Sequence, residues 1–307
     1  MRFPSCAGAA LIACLCGLPA AAQSKPLLAP TSSPTSRAMQ ADLVVVGHVA
    51  EIEKDAVDGP AYAGAPKDQK ATYKVAVVKI DDRLIGAAGL TQLRVGFPAD
   101  APAAVPPVDP AAGGRVPARV ARLGGRGAVA LTAGLEGCFM LDLLPGADFY
   151  VLSGYGAPLD KKGEGYAKQL EAVRKVAKAI DDPVAALKAK DLDDRFLAAH
   201  ALLTRYQKGA GRPGAELGAP VSAEENRLLL DLMLELPWQP KSDAVPKVEG
   251  EPPPSRAALW PLIRPNVLGF RPPKAVPGED ANKRMDEATA AFLKDNRDRI
   301  KIKKHEK

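Results

Sequence analysis

Hydrophobic patterning begins in earnest at Ala41. Leu43-Val44-Val45-Val46-Gly47-His48-Val49-Ala50-Glu51-Ile52 starts as a β-branched run and passes into alternation, which predicts a strand buried on both faces at one end. Gly47 inside that run predicts a bulge or sharp bend. A polar loop follows, and then Thr72–Ile80 and Leu93–Phe97 supply a second and a third strand. Pro98 to Val116 is too rich in Pro and Ala for a sheet interior and is expected to be a long exposed loop. Strand texture returns at Ala128–Leu131 and Gly137–Leu143. Pro145-Gly146 predicts the turn of a hairpin that comes back through Asp148–Leu152. These strands follow one another with no helical crossover, which argues for an antiparallel barrel or sandwich, and five or six of them in about 115 residues suit a small barrel.

After Gly156 the period changes from two to 3.6. Tyr166, Leu170, Val173, Val176 or Ala177, and Ile180 fall on one helix face, and Pro183 ends or restarts that helix. Asp191 opens a further helix whose stripe is Leu192, Phe196, Ala199, Leu203 and Tyr206. Residues 209–220 read as a loop. Ser222-Ala223-Glu224-Glu225 is a capping box that launches Leu228 to Leu236. An irregular run over Lys241–Pro254 precedes a short apolar segment, Ala257–Ile263, and a last helix is expected over Glu279–Arg299. The segment Asp191–Tyr206 resembles one helix of an α-solenoid repeat, but no second copy stands at a fixed period, so a plain helical bundle is the expectation.

The N-terminus changes the picture by adding a compartment. Arg2, an apolar stretch from Cys6 to Leu18, and Ala20-Ala21-Ala22 have the order of a secretory leader cut before Gln23. The stretch is shorter than the ~20 residues a spanning helix needs, and no later segment qualifies. Leu11-Ile12-Ala13-Cys14 also fits a lipoprotein box, so secretion and a lipid anchor at Cys14 are both open. Residues 23–40, rich in Pro and Ser, read as a disordered spacer. Removal of the leader takes Cys6, Cys14 and Cys16 with it and leaves Cys138 alone. No internal disulfide is then possible, and stability has to come from cores. The net charge of +6 is spread over 42 basic and 36 acidic residues, and aromatics are 5% of the chain. A nucleic-acid binder would concentrate its excess on one face with aromatics between, so nucleic acid is not expected as a partner. The basic tail at 302–307 reads as a solvated end, or as one that attracts anionic envelope polymers or lipids.

Two resemblances rest on particular residues. The order Ala41-Asp42-Leu43-Val44-Val45-Val46-Gly47-His48-Val49, then Tyr73–Ile80, then Gly137-Cys138-Phe139-Met140-Leu141, with Asp194-Arg195-Phe196-Leu197-Ala198-Ala199 later, resembles a family of exported proteins of planctomycete-type bacteria. That family brings no established activity. More remotely, the strand region is similar to netrin-like and metalloproteinase-inhibitor modules. This implies an OB-type barrel, with Ala41-Asp42 and Gly47 matching and the disulfide framework and N-terminal Cys lacking.

Catalytic patterns are sparse. His48, His200 and His305 are far apart, with no His-Glu-x-x-His or Cys-x-x-Cys spacing in the mature chain, so no metal or cofactor is expected. Cys138 lies in an apolar strand, where burial disfavours a thiolate. Ser153-Gly154 lacks the rest of a nucleophile elbow. The acid pairs Asp81-Asp82, Asp181-Asp182 and Asp193-Asp194 read as turn or capping residues. Gly124-Gly125-Arg126-Gly127 lacks the strand and helix of a phosphate loop. Trp238, Trp260, Tyr150 and Tyr155 could grip a sugar or partner, with core packing as the simpler role.

The resulting expectation is an α+β chain in five parts: a signal peptide at 1–22, the spacer at 23–40, a small antiparallel OB-like barrel at 41–156, a helical bundle region at 163–301, and the tail. Its function is expected to be non-catalytic binding, outside the cytoplasm, of a protein or envelope polymer. No catalytic, cofactor or metal residue is assigned. A netrin-like protease inhibitor and a hydrolase with an unmarked site are the alternatives.

Overall fold

The computed structural model describes residues 33–62, 65, 66, 68–99, 129–208, 217–240 and 251–305. The leader over 1–22, the first part of the spacer, most of the Pro-rich loop together with Gly124–Gly127, and residues 209–216, 241–250, 306 and 307 lie outside them, as do the side chains of Tyr155, Leu217 and His305.

Strands β1 (Leu43–Ile52), β3 (Lys70–Ile85), β4 (Gln92–Pro98), β5 (Glu136–Leu143) and β6 (Tyr150–Leu152) close a five-stranded barrel in the order β1-β3-β4-β6-β5, with β5 returning to β1. A short β2 (Val57–Pro60) pairs with the start of β3, and a two-residue β7 (Leu159–Asp160) adds to β5. Every pair is antiparallel except β4–β6, where Val95 lies opposite Tyr150 in a parallel register. That parallel pair corrects the all-antiparallel expectation. The β5–β6 hairpin returns β6 to the barrel beside β5, and its other edge then meets β4 running the same way. Leu43, Val45, Ala76, Val78, Leu93, Val95, Phe97, Phe139 and Leu141 fill the interior. Leu131, in the segment expected as a strand, is not in one. It is a buried plug against the same interior cluster.

Alternation leaves a second set of side chains on the outside of β1 and β5. Val44, Cys138 and Met140 pack there under α1 (Pro34–Gln40), α2 (Tyr166–Asp181) and α4 (Leu192–Tyr206), through Met39, Val173, Val176, Leu197 and Ala201. This is why the first half of β1 is apolar at every position. A different outer patch, on β3, is covered by the β5–β6 connection. Phe149 lies over Gly96 and beside Tyr73, with ring centroids 5.1 Å apart, and Val75 and Leu144 complete the cluster. A Cβ at Gly96 would stand 2.4 Å from the Phe149 ring, so the absent side chain is what admits the aromatic.

Beyond α3 (Pro183–Leu187) the chain continues through α4, β8 (Leu217–Pro220), α5 (Ala223–Glu235), α6 (Arg256–Leu259), a 3-10 turn at Trp260–Ile263, α7 (Ala281–Asn296) and β9 (Lys303–His305). Seven α-helices are present among the described residues. Pro183 restarts a helix at its first position, with the Asp182 side chain accepting from the Ala185 amide at 3.0 Å. Asp191 and Ser222 cap α4 and α5 as their sequences predict. Among the described residues, no helix is long and apolar enough to cross a membrane. Barrel and helices share the core around Val173 and Met140, within one compact unit, Ser32–Lys307.

Two terminal expectations are corrected. The spacer expected at 23–40 is helical over Pro34–Gln40, with Ala38 and Met39 fully buried. Its composition favours disorder, but Ser33 before Pro34 is a cap followed by a first-turn proline. Arg37, 8% exposed, donates to the carbonyls of Ser153, Gly156 and Ala157 at 3.2, 2.8 and 2.6 Å. Within the tail expected to be solvated at 302–307, Lys303–His305 pairs as β9 with β8, anchored by Ile300 and Ile302 in the helical core, while Lys303 and Lys304 stay exposed.

Candidate functional site

Two polar constellations stand out. In the first, Glu251 is 6% exposed and receives hydroxyls from Ser33 at 2.7 Å and Ser36 at 2.8 Å on one oxygen, while His200 Nδ1 lies 3.1 Å from the other. Burial pushes the Glu251 carboxyl up, and the bonds from His200, Ser33 and Ser36 outweigh that, leaving it below its ordinary value. Serine, acid and histidine are all present, yet in the wrong order for nucleophilic catalysis. An activated serine gives its proton to an imidazole that the acid orients. Here the acid stands in the middle, and both hydroxyls donate to it. The cluster pins the N-terminus of α1 to α4.

The sign of its pH dependence follows. A carboxyl below its unfolded value stabilises the fold fully above about pH 4.3, and that contribution is lost as pH falls through the lower folded value. The difference in melting temperature between wild type and Glu251→Gln is therefore expected to be largest near neutrality and to shrink below about pH 4. A difference independent of pH in a melting series would reject this role.

The second constellation is a cleft of about 250 Å³ lined by Ile180, Pro183, Leu202, Arg205, Tyr206, Lys208 and Lys304. The end of α2 and the start of α3 supply its apolar side, the last turn of α4 its floor, and β9 brings Lys304 across it. Lys208 is held from behind by Asp42 at 2.9 Å and Asp142 at 3.2 Å. Arg205 donates to the Ala41 carbonyl at 2.8 Å, and burial lowers its pKa against the pull of Asp42 and Asp142. The Tyr206 hydroxyl donates to the buried Glu225 carboxylate, and burial followed by that bond raises the phenol's pKa. Lys304 sits over the Tyr206 ring, 5.1 Å from its centroid.

The residues singled out in the sequence are distributed as follows. His48 meets Asp81 at 3.5 Å on the barrel exterior, while Asp42 bonds Lys208 and the Leu143 amide, so His48 and Asp42 do not form a pocket. Cys138 is fully buried and its thiol is pushed up to about 12, chiefly by that burial. Asp81 and Asp82 lie within β3 instead of a turn after it, and Asp82 pairs with Arg174 at 2.8 Å. Asp193 and Asp194 occupy the first turn of α4. Trp260 packs edge-on against Trp238, Phe270 and Phe292 in the helical core, and Tyr150 packs against the barrel interior. Among the described residues, no group of three His, Cys, Asp or Glu could hold a metal ion.

Sequence reading missed Glu251, Ser33, Ser36 and the cleft cations. Arg205 and Lys208 at the end of an amphipathic helix were a visible signal, since cations favour the negative end of the helix dipole. Their partners Asp42 and Asp142 are remote in sequence, and no spacing rule connects them. Compared with known proteins, the chain matches no protein-family model and no curated protein.

Proposed function

We propose that this chain is an exported, non-catalytic binding protein, built as an OB-type barrel braced by helices. The strand order β1-β3-β4-β6-β5 with a parallel β4–β6 closure supports the OB-type reading. In such barrels the ligand face is formed by the second and third strands and flanked by the loops after the first and fourth. Those are β3 and β4 here, and the chain seals much of that face with itself. Phe149, Leu144, Tyr73 and Val57 cover its apolar part, and Arg94 ties Glu53 to Asp148 beside it. Recognition is thereby shifted away from the barrel face to the cleft at the end of α4. The cleft carries the reading, because its lining combines three cationic side chains with an apolar wall and, among the described residues, holds neither a nucleophile–base pair nor a carboxylate.

Export is supported by the leader pattern over 1–22, and the mass of the processed N-terminus decides its form: Gln23 for secretion, an acylated Cys14 for anchoring. The binding reading is tested by immobilising the protein against native envelope extract, alongside a panel of ester, peptide, glycoside and phosphoester substrates. Saturable, reversible retention of a partner with no turnover is the expected result. Turnover abolished by His200→Ala or Glu251→Gln would overturn it in favour of a hydrolase.

A further inference from the structure

We propose that the cleft between α4 and β9 takes a small anion, a carboxylate or phosphate group carried on a short apolar body. This rests on the binding-protein reading and gives it a ligand class. The first argument is charge. Lys208 is already neutralised by Asp42 and Asp142, which hold it from outside the lining. Arg205 lies in the field of the same two carboxylates, so the two acids and these two cations balance, and the surplus charge of the cleft is that of Lys304. Arg205 uses a single N–H on the Ala41 carbonyl, which leaves four of its five donors without a protein acceptor among the described residues. Lys304 is exposed, its contact is with the Tyr206 ring, and it has no acidic partner among the described residues.

The second argument is the shape and chemistry of the wall. Leu202 is 1% exposed and forms the floor with the Tyr206 ring, whose hydroxyl is turned away to Glu225. Ile180 and Pro183 complete an apolar side that a fully hydrated inorganic ion would leave unused. The cleft, about 250 Å³, has room for a compact head group with a short apolar body. A planar guanidinium in the lining, with one N–H on the Ala41 carbonyl, favours a group that accepts two hydrogen bonds side by side, as carboxylates and phosphates do.

The test is calorimetric or NMR titration of the full mature protein with octanoate, octyl phosphate and octanol. Both anions are expected to bind, one of them more tightly according to head group, and octanol at least tenfold more weakly. Lys304→Glu is expected to weaken the anions at least fivefold, and Arg205→Gln more than tenfold. If Arg205→Gln loosens the fold, Lys304→Glu decides alone, since its side chain lies at the surface. Octanol binding as well as octanoate, or anion affinity unchanged in Lys304→Glu, overturns the proposal. If no alkyl anion binds while wild type and Lys304→Glu retain the same envelope partner, the ligand class fails and the binding reading stands. If nothing is retained either, both fall.

Discussion

Replacing Arg256 by Met is expected to cost about 3–5 kcal/mol of stability, the range for breaking a buried charge from its partners. Arg256 is 3% exposed, and its guanidinium ties together three elements. Nε donates to the Met233 carbonyl at 2.6 Å, and one terminal nitrogen reaches the Leu236 carbonyl at 2.8 Å, so the C-terminal end of α5 is capped by a cation. The other terminal nitrogen reaches the Asp286 carbonyl at 2.9 Å, the Asp286 carboxylate at 3.0 Å and Thr289 at 3.0 Å, fastening α7 to the same point. Burial lowers the Arg256 pKa against the pull of Asp286, and the group remains charged. Methionine fills the volume but leaves those carbonyls unsatisfied in a dry core. Lysine keeps the charge yet cannot reproduce a planar fork, so Arg256→Lys should recover only a minor part. The melting temperature should fall by roughly 10 °C for the Met variant, and urea unfolding should show the same order of loss. A change under about 1 kcal/mol would show that α5 and α7 are held by apolar packing alone.

Gly47→Ala is expected to be of similar severity, about 3 kcal/mol or more, because it overpacks a central strand. A Cβ there would stand 2.1 Å from the Lys79 carbonyl on β3, where β1 changes register between Val46 and Gly47. The next strand offers an internal control. Gly137 lies directly across from Gly47 on β5, and its Cβ would also be 2.1 Å from a carbonyl, that of Leu159. The clash is the same on paper, but the neighbours differ. Lys79 belongs to the sixteen-residue β3, locked between β1 and β4, whereas Leu159 belongs to the two-residue edge strand β7. β7 can move aside and β3 cannot. Gly137→Ala should therefore cost clearly less than Gly47→Ala in side-by-side unfolding curves. Equal costs would mean that β7 is as firmly held as the barrel wall.

These two positions show what could and could not be read from residues. Gly47 was legible as a bulge, since a glycine inside a β-branched run marks a bend or close approach. Arg256 was not, because an arginine before Ala257-Ala258-Leu259 reads as a solvated helix start, and its partners lie up to 33 residues away. The helix caps Asp182, Asp191 and Ser222 were written locally and appear where expected. Asp81 and Asp82 were misplaced because β3 runs five residues beyond its apolar core, to Ile85. The same holds for His200, whose acid partner Glu251 lies 51 residues away and whose serines belong to a segment that reads as spacer.

Short-range pattern was enough, on its own, for the strands of the barrel, the switch to helices after Gly156 and the capped helix starts. Each follows from the alternation of apolar side chains or from a hydrogen bond closed within four residues. Tertiary structure alone decided the parallel β4–β6 closure, the burial of α1, the pairing of β9 with β8, the sealing of the β3–β4 face by Phe149, and the gathering of Arg205, Lys208 and Lys304. Those depend on which surfaces meet across long stretches of chain, and desolvation with charge pairing at such meetings has no counterpart in local sequence pattern.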